Sequence, residues 1–232
     1  MSRQLAAVVR AAYPRAMDSL VSTEWLAQHL DEPDLVVVDA SWHMPASGRS
    51  GREEYLEAHI PGARFLDIDE LADKTNPAPH ALPTAKQFEA AMKQLGVGSS
   101  DRIVVYDNSP IRNAARGWFM FRHFGAGQVA ILDGGFQKWV AEGRPAESGE
   151  PPSREARFDA VERDEVVTKE QLLTGSDLPW VDARGRPRFE GTEADPRPDV
   201  TPGHAPGARN LPFASLYRED GTFKPVEELR QL

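Results

Sequence analysis

His59-Ile60-Pro61-Gly62-Ala63-Arg64 and His204-Ala205-Pro206-Gly207-Ala208-Arg209 are nearly one hexapeptide written twice, 145 positions apart. A motif that returns at such a distance marks an internal duplication. The flanks agree. Upstream of each copy an apolar run ends in an aspartate: Leu35-Val36-Val37-Val38-Asp39-Ala40 in the first half, Leu178-Pro179-Trp180-Val181-Asp182-Ala183 in the second. Runs this short, apolar and β-branched read as buried parallel strands. Asp39 and Asp182 then stand at the carboxyl ends of their strands, where open α/β sheets gather ligands. The Pro-Gly pair predicts a turn, with Pro fixing φ and Gly freeing the backbone. A turn alone does not require the same His and Arg twice.

The 232 residues suffice for one large domain or two small ones. With 40% apolar and 27% charged residues, the composition is that of a soluble α/β protein. A net charge of −9 argues against a nucleic-acid partner, which would want a basic stripe. No apolar run reaches spanning length, so no membrane partner is expected and the cytoplasm is the default location. There is no cysteine, which excludes disulfides and thiolate metal sites. Six scattered histidines without ligand spacing make a metal site improbable. Gly125-Ala126-Gly127 lacks the further glycine and Lys-Ser/Thr of a phosphate loop. Residues 1–17 read as an N-terminal extension.

Strands and helices then alternate, which predicts a parallel sheet with right-handed crossovers. Ser22 or Thr23 caps a helix to about His29, and the strand 35–39 follows. Glu53-Glu54-Tyr55 leads a helix into the first His-Pro-Gly motif. Phe65-Leu66-Asp67-Ile68-Asp69 reads as a short strand or extended segment with its carboxylates on one side. Thr84 opens an amphipathic helix that stops at Gly96. The strand 103–107, a helix over 113–123, a strand at 130–133 and a helix through Val140 complete a first domain, 18–143. Pro, Gly, Ser, Glu and Arg dominate 144–165, which reads as a linker. A second domain, 166–232, repeats the helix, strand and motif, and reaches only the counterpart of the Thr84 helix.

Tyr55-x-x-x-His59-Ile60-Pro61-Gly62-Ala63-x-x-Leu66, with Leu132-Asp133-Gly134-Gly135…Trp139 and the tandem layout, resembles the rhodanese-like sulfurtransferases. The resemblance covers the chain from about residue 20. It implies an α/β fold of two tandem rhodanese-like domains, each a parallel sheet flanked by helices, the first copy non-catalytic and the second carrying a cysteine nucleophile. Asp107 stands where an active copy would have that cysteine. The same spacing from His204 falls roughly 20 positions past Leu232. The chain is therefore expected to be a fragment, with the second domain truncated and inactive alone. A separate chain carrying the cysteine segment is then a candidate partner.

Within the family, the chain is most similar to the 3-mercaptopyruvate sulfurtransferases. Arg188 matches a substrate-anion arginine of the two-domain enzymes, and Arg197 a second one typical of the 3-mercaptopyruvate branch. Guanidinium forks suit the paired carboxylate and carbonyl of an α-keto acid; solvating a loop is the competing reading. Asp69 matches a catalytic acid brought across from the first domain, and His80 a histidine found near it. The motif residues His59 and His204, with Asp39 and Asp182, are expected to organise loops.

The resemblance implies that a cysteine thiolate takes sulfur from 3-mercaptopyruvate, releases pyruvate, and passes the persulfide sulfur to cyanide or a thiol such as thioredoxin. It implies no metal or organic cofactor. A thiosulfate:cyanide sulfurtransferase and a non-catalytic rhodanese-like binding module are the alternatives. The loop that carries or lacks the cysteine would separate them.

Overall fold

A computed structural model describes residues 17–174, 179–195 and 200–232. The described residues form two compact units, divided between Asp164 and Glu165. Most of the expected N-terminal extension, and Leu178 of the second apolar run, lie outside the described residues.

Among the described residues the first unit has five strands: β1 (Leu20–Val21), β2 (Leu35–Asp39), β3 (Arg64–Phe65), β4 (Arg102–Tyr106) and β5 (Val129–Leu132). They form one sheet in the order β1-β5-β4-β2-β3, and every pairing is parallel. Its helices are α1 (Thr23–His29), α2 (Gly51–Glu57), α3 (Ile68–Leu71), α4 (Ala85–Leu95), α5 (Ala114–His123) and α6 (Gly135–Ala141). Strand side chains alternate between two cores. Val36, Val38, Ile103 and Val105 face Phe88, Met92, Phe121 and Phe124 on one side. Leu35, Val37, Val104 and Tyr106 meet Tyr55, Ile60 and Trp139 on the other.

Local chemistry sets the helix ends. The Ser22 hydroxyl accepts from Trp25 N, and Thr84 and Gln87 form a reciprocal capping box. Asp67 corrects one expectation. Its side chain accepts from Glu70 N and starts α3, so 67–69 is a helix start rather than an extended run. A carboxylate that satisfies an orphan amide outweighs the alternating pattern.

The stretch 144–165 is also unlike a free linker. Glu147 pairs with His59 through both backbone bonds, Gly149 N donates to Leu56 O, and Val161 N donates to Phe124 O. Arg154 grips Asp101 with bonds of 2.6 and 2.8 Å. Phe158 is buried against Phe88. These residues form a strap that belongs to the first unit.

The second unit repeats the scheme on a smaller scale. It holds α7 (Lys169–Leu173), β6 (Val181–Asp182), α8 (Arg186–Glu190), β7 (Arg209–Asn210) and α9 (Val226–Leu229). Thr168 and Gln171 form the same capping box as Thr84 and Gln87. Strand β6 pairs with β7 in parallel, Val181 opposite Arg209 and Asp182 opposite Asn210. In the first unit Val38 stands opposite Arg64 and Asp39 opposite Phe65. Motif and strand therefore share one register in both copies, which makes the duplication structural. Among the described residues of this unit no hydrophobic side chain is buried, and Val181, Leu173 and Val226 are exposed. No helix among the described residues is long and apolar enough to cross a membrane.

Candidate functional site

Each motif histidine is clamped in the same way. The His59 ring stacks on Tyr55 at 4.2 Å and its Nδ1 donates to Tyr55 O at 2.7 Å. The His204 ring stacks on Phe189 at 3.7 Å and its Nδ1 donates to Phe189 O at 2.8 Å. Ala63 N and Ala208 N close equivalent turns onto Ile60 O and Ala205 O. Gly62 and Gly207 have φ of 72° and 83°, which side-chain-bearing residues avoid. His59 is buried, whereas His204 is exposed.

The strand-end aspartates share a place and differ in electrostatics. Asp39 accepts from Ser41 N at 2.8 Å, and Asp182 accepts from Arg184 N at 2.9 Å. Burial raises the Asp39 carboxyl to about 6, with hydrogen bonds from Ser41 and Tyr106 pulling the other way. The Arg184 guanidinium, hydrogen-bonded to Asp182, lowers that carboxyl instead. Asp107 is buried, which raises its pKa, and it accepts from Ser109 N and Ala114 N at 2.9 and 2.6 Å.

Asp39 sets a pH dependence. A carboxyl that binds its proton more tightly folded than unfolded stabilises the fold most at acid pH. That contribution is fully present below about 3.8 and is lost as pH rises through about 6. Asp39→Asn should therefore gain on the wild type by about 2 kcal/mol between pH 4 and 7. Urea unfolding at several pH values measures it; a difference independent of pH would refute it.

Asp69, in the first turn of α3, is the centre of a small group. Its Oδ2 accepts from Trp42 Nε1 at 2.8 Å, and its Oδ1 lies 3.4 Å from His80 Nε2. The two rings meet edge to face at 4.8 Å, and Lys74 Nζ bonds the Asp69 backbone carbonyl. The structure thus brings Asp69 and His80 together and adds Trp42, a residue the sequence analysis did not select. An exposed carboxylate fixed from two sides is an oriented proton acceptor.

Arg188, in α8, ion-pairs with Asp195, whose side chain is 2% exposed. The Arg188 Nε is buried without a hydrogen-bond partner. Arg184 reaches Asp182 and Gly203 O, and Arg186 pairs with Glu190 on the surface. Asp195 was likewise not selected; its nearest signal is an acid set among the arginines of 184–197. Arg197 lies outside the described residues.

The position just before each clamp ring inverts charge between the copies. Arg188 immediately precedes Phe189, the ring under His204; Glu54 immediately precedes Tyr55, the ring under His59. Glu54 is held by Arg49 at 2.6 and 2.8 Å, by His43 at 3.0 Å and by Asn108 at 3.2 Å.

Comparison with known proteins fits this geometry. Residues 22–142 match the family model described as Rhodanese-like domain. The 3-mercaptopyruvate sulfurtransferase of Rattus norvegicus is 41% identical over 95% of this chain and 78% of its own length. The thiosulfate sulfurtransferase of Cricetulus griseus is 40% identical over 92% of this chain and 75% of its own length. The crystal structure of SseA from Escherichia coli, a 3-mercaptopyruvate sulfurtransferase structure, superposes with a TM-score of 0.84 at 38% identity, covering 92% of this chain and 81% of that one. A duplicated His-Pro-Gly motif in one strand register, on parallel sheets that superpose on such a relative, places the chain in the rhodanese-like sulfurtransferase family.

Proposed function

We infer that this chain is of the 3-mercaptopyruvate sulfurtransferase type, moving sulfur from 3-mercaptopyruvate through a cysteine persulfide to a thiol or cyanide acceptor and releasing pyruvate. The observation that carries it beyond family likeness is Asp69, an exposed carboxylate oriented by Trp42 and His80. The donor brings an S–H proton that thiosulfate lacks. The cysteine thiolate attacks the donor sulfur, the C–S bond breaks, and its electron pair leaves as the enolate of pyruvate. Asp69 accepts the thiol proton as the new S–S bond forms, with His80 beside it. Arg188 and Arg197 hold the carboxylate and keto oxygen and stabilise the enolate. Thioredoxin is a fitting acceptor, since its reactive thiolate can take the persulfide sulfur by exchange. The near-equal identity to a thiosulfate sulfurtransferase supports a second reading, in which thiosulfate is the donor.

The test uses these 232 residues continued by the family's cysteine-bearing segment, here the cysteine-bearing enzyme. The 232-residue chain itself, with no cysteine, should form no pyruvate. In the cysteine-bearing enzyme, Asp69→Asn should lower turnover of 3-mercaptopyruvate by about 100-fold and that of thiosulfate by no more than about 3-fold. Equal losses on both donors would remove Asp69 from proton transfer.

A further inference from the structure

Two backbone carbonyls behind the Asp69 group are held by one helix end. Asn113 Nδ2 donates to Trp42 O at 2.8 Å, and an Arg116 terminal nitrogen donates to His80 O at 2.7 Å. Asn113 stands at the N-cap of α5 but makes no side-chain cap there. An asparagine at that position ordinarily accepts from an amide of the first turn. Here Asp107 takes the Ala114 amide instead, and the Asn113 side chain is turned toward Trp42. His80 has φ of 56°, a left-handed backbone that a residue with a side chain holds only when its surroundings impose it. Arg116 grips the carbonyl of that residue. Its position is not a free surface one: burial lowers its pKa, and its Nε is buried without a partner. The helix is a firm platform, because a Cβ at Gly117 would stand 2.9 Å from the Val105 side chain and 3.3 Å from Ala40 Cβ. Such close seating on β4 leaves α5 little room to move.

We propose that the first turn of α5 braces the Asp69 group, with Asn113 and Arg116 as positioning residues that each hold the backbone carbonyl of one residue whose side chain flanks Asp69. The proposal rests on reading Asp69 as the proton acceptor. Neither residue need touch the donor. Releasing either carbonyl lets Trp42 or His80 drift, and a misplacement of about 1 Å can cost about 100-fold in rate.

In the cysteine-bearing enzyme, Arg116→Gln and Asn113→Ala should each lower kcat for 3-mercaptopyruvate by about 10- to 100-fold, with KM within about 3-fold. Thiosulfate turnover should stay within about 2-fold, because that donor has no thiol proton to move. Arg116→Lys keeps a donor for His80 O and should restore most of the rate. In the 232-residue chain, Asn113→Ala should speed exchange of the Trp42 indole N–H. Should Arg116→Gln fail to fold, Asn113→Ala decides by the same ratio. If Asp69→Asn lowers 3-mercaptopyruvate turnover and the brace variants do not, the brace is overturned and the Asp69 reading stands. If the brace variants lower both donors equally, the two residues only maintain the fold and the proposal is overturned. If Asp69→Asn itself changes nothing, the Asp69 reading falls and takes the brace with it.

Discussion

Phe158→Ala is expected to lower the unfolding free energy of the first unit by about 3–5 kcal/mol, the range for emptying a buried aromatic site. Phe158 is 3% exposed and meets the rings of Phe88 and Phe121 at 5.2 and 6.4 Å. Its removal leaves a cavity lined by rigid rings on α4 and α5, which cannot collapse into it easily. The strap around it has no reason to peel away first. Arg154 holds Asp101, whose side chain is 6% exposed, and Ser99 N bonds Arg157 O. The full aromatic loss should therefore be felt, in spite of the polar sequence on both sides. Urea unfolding of the variant reads it directly. A change below about 1 kcal/mol would mean that the strap is peripheral and that the first unit ends near Gly143.

The second large effect falls on the arginines. In the cysteine-bearing enzyme, Arg197→Ala should cost about 1.5–3 kcal/mol in kcat/KM for 3-mercaptopyruvate, roughly 10- to 150-fold. Arg197→Lys should rescue little, since an ammonium keeps the charge and loses the planar fork. Arg188→Ala should cost at least as much in kcat/KM, and it should also destabilise the second unit. It takes a counter-ion from Asp195, which keeps its burial. Thiosulfate offers no carboxylate–carbonyl pair, so its turnover should suffer less from Arg197→Ala. Equal losses on both donors would reduce Arg197 to a contributor of local field.

Most of the fold was legible because its signals are periodic or repeated. The buried strands 35–39 and 102–106 show as β-branched runs, and the duplication shows as a repeated motif. What was hidden depends on single residues. Strand β1 is two residues on the sheet edge, too short for any period. The alternation at 65–69 imitates a strand, yet one carboxylate on one amide makes it a helix start. The strap anchors through Phe158 and Arg154, isolated in a composition that otherwise reads as solvated. In the site, Asp69 and His80 could be proposed from resemblance. Trp42, Asn113 and Arg116 could not, because their contribution is the direction of a hydrogen bond across the fold. Asp195 escaped for the opposite reason: one acid among several arginines does not announce which of them it will hold.

Glu54, seated where the second copy has Arg188, bears on whether the first copy could be turned into a catalyst. On the resemblance drawn from the sequence, a cysteine installed at Asp107 would supply the sulfur atom that the first copy lacks. If Arg188 seats the anionic donor as proposed, the first copy lacks that seat, because Glu54 stands there with Arg49, His43 and Asn108 committed to it. The new cysteine would also strip the Ser109 and Ala114 amides of their acceptor and slacken the loop meant to present it. On that reading, activity in the first copy would need changes at both Asp107 and Glu54 together, with new partners for Arg49. Neither change alone would supply both the sulfur and the seat.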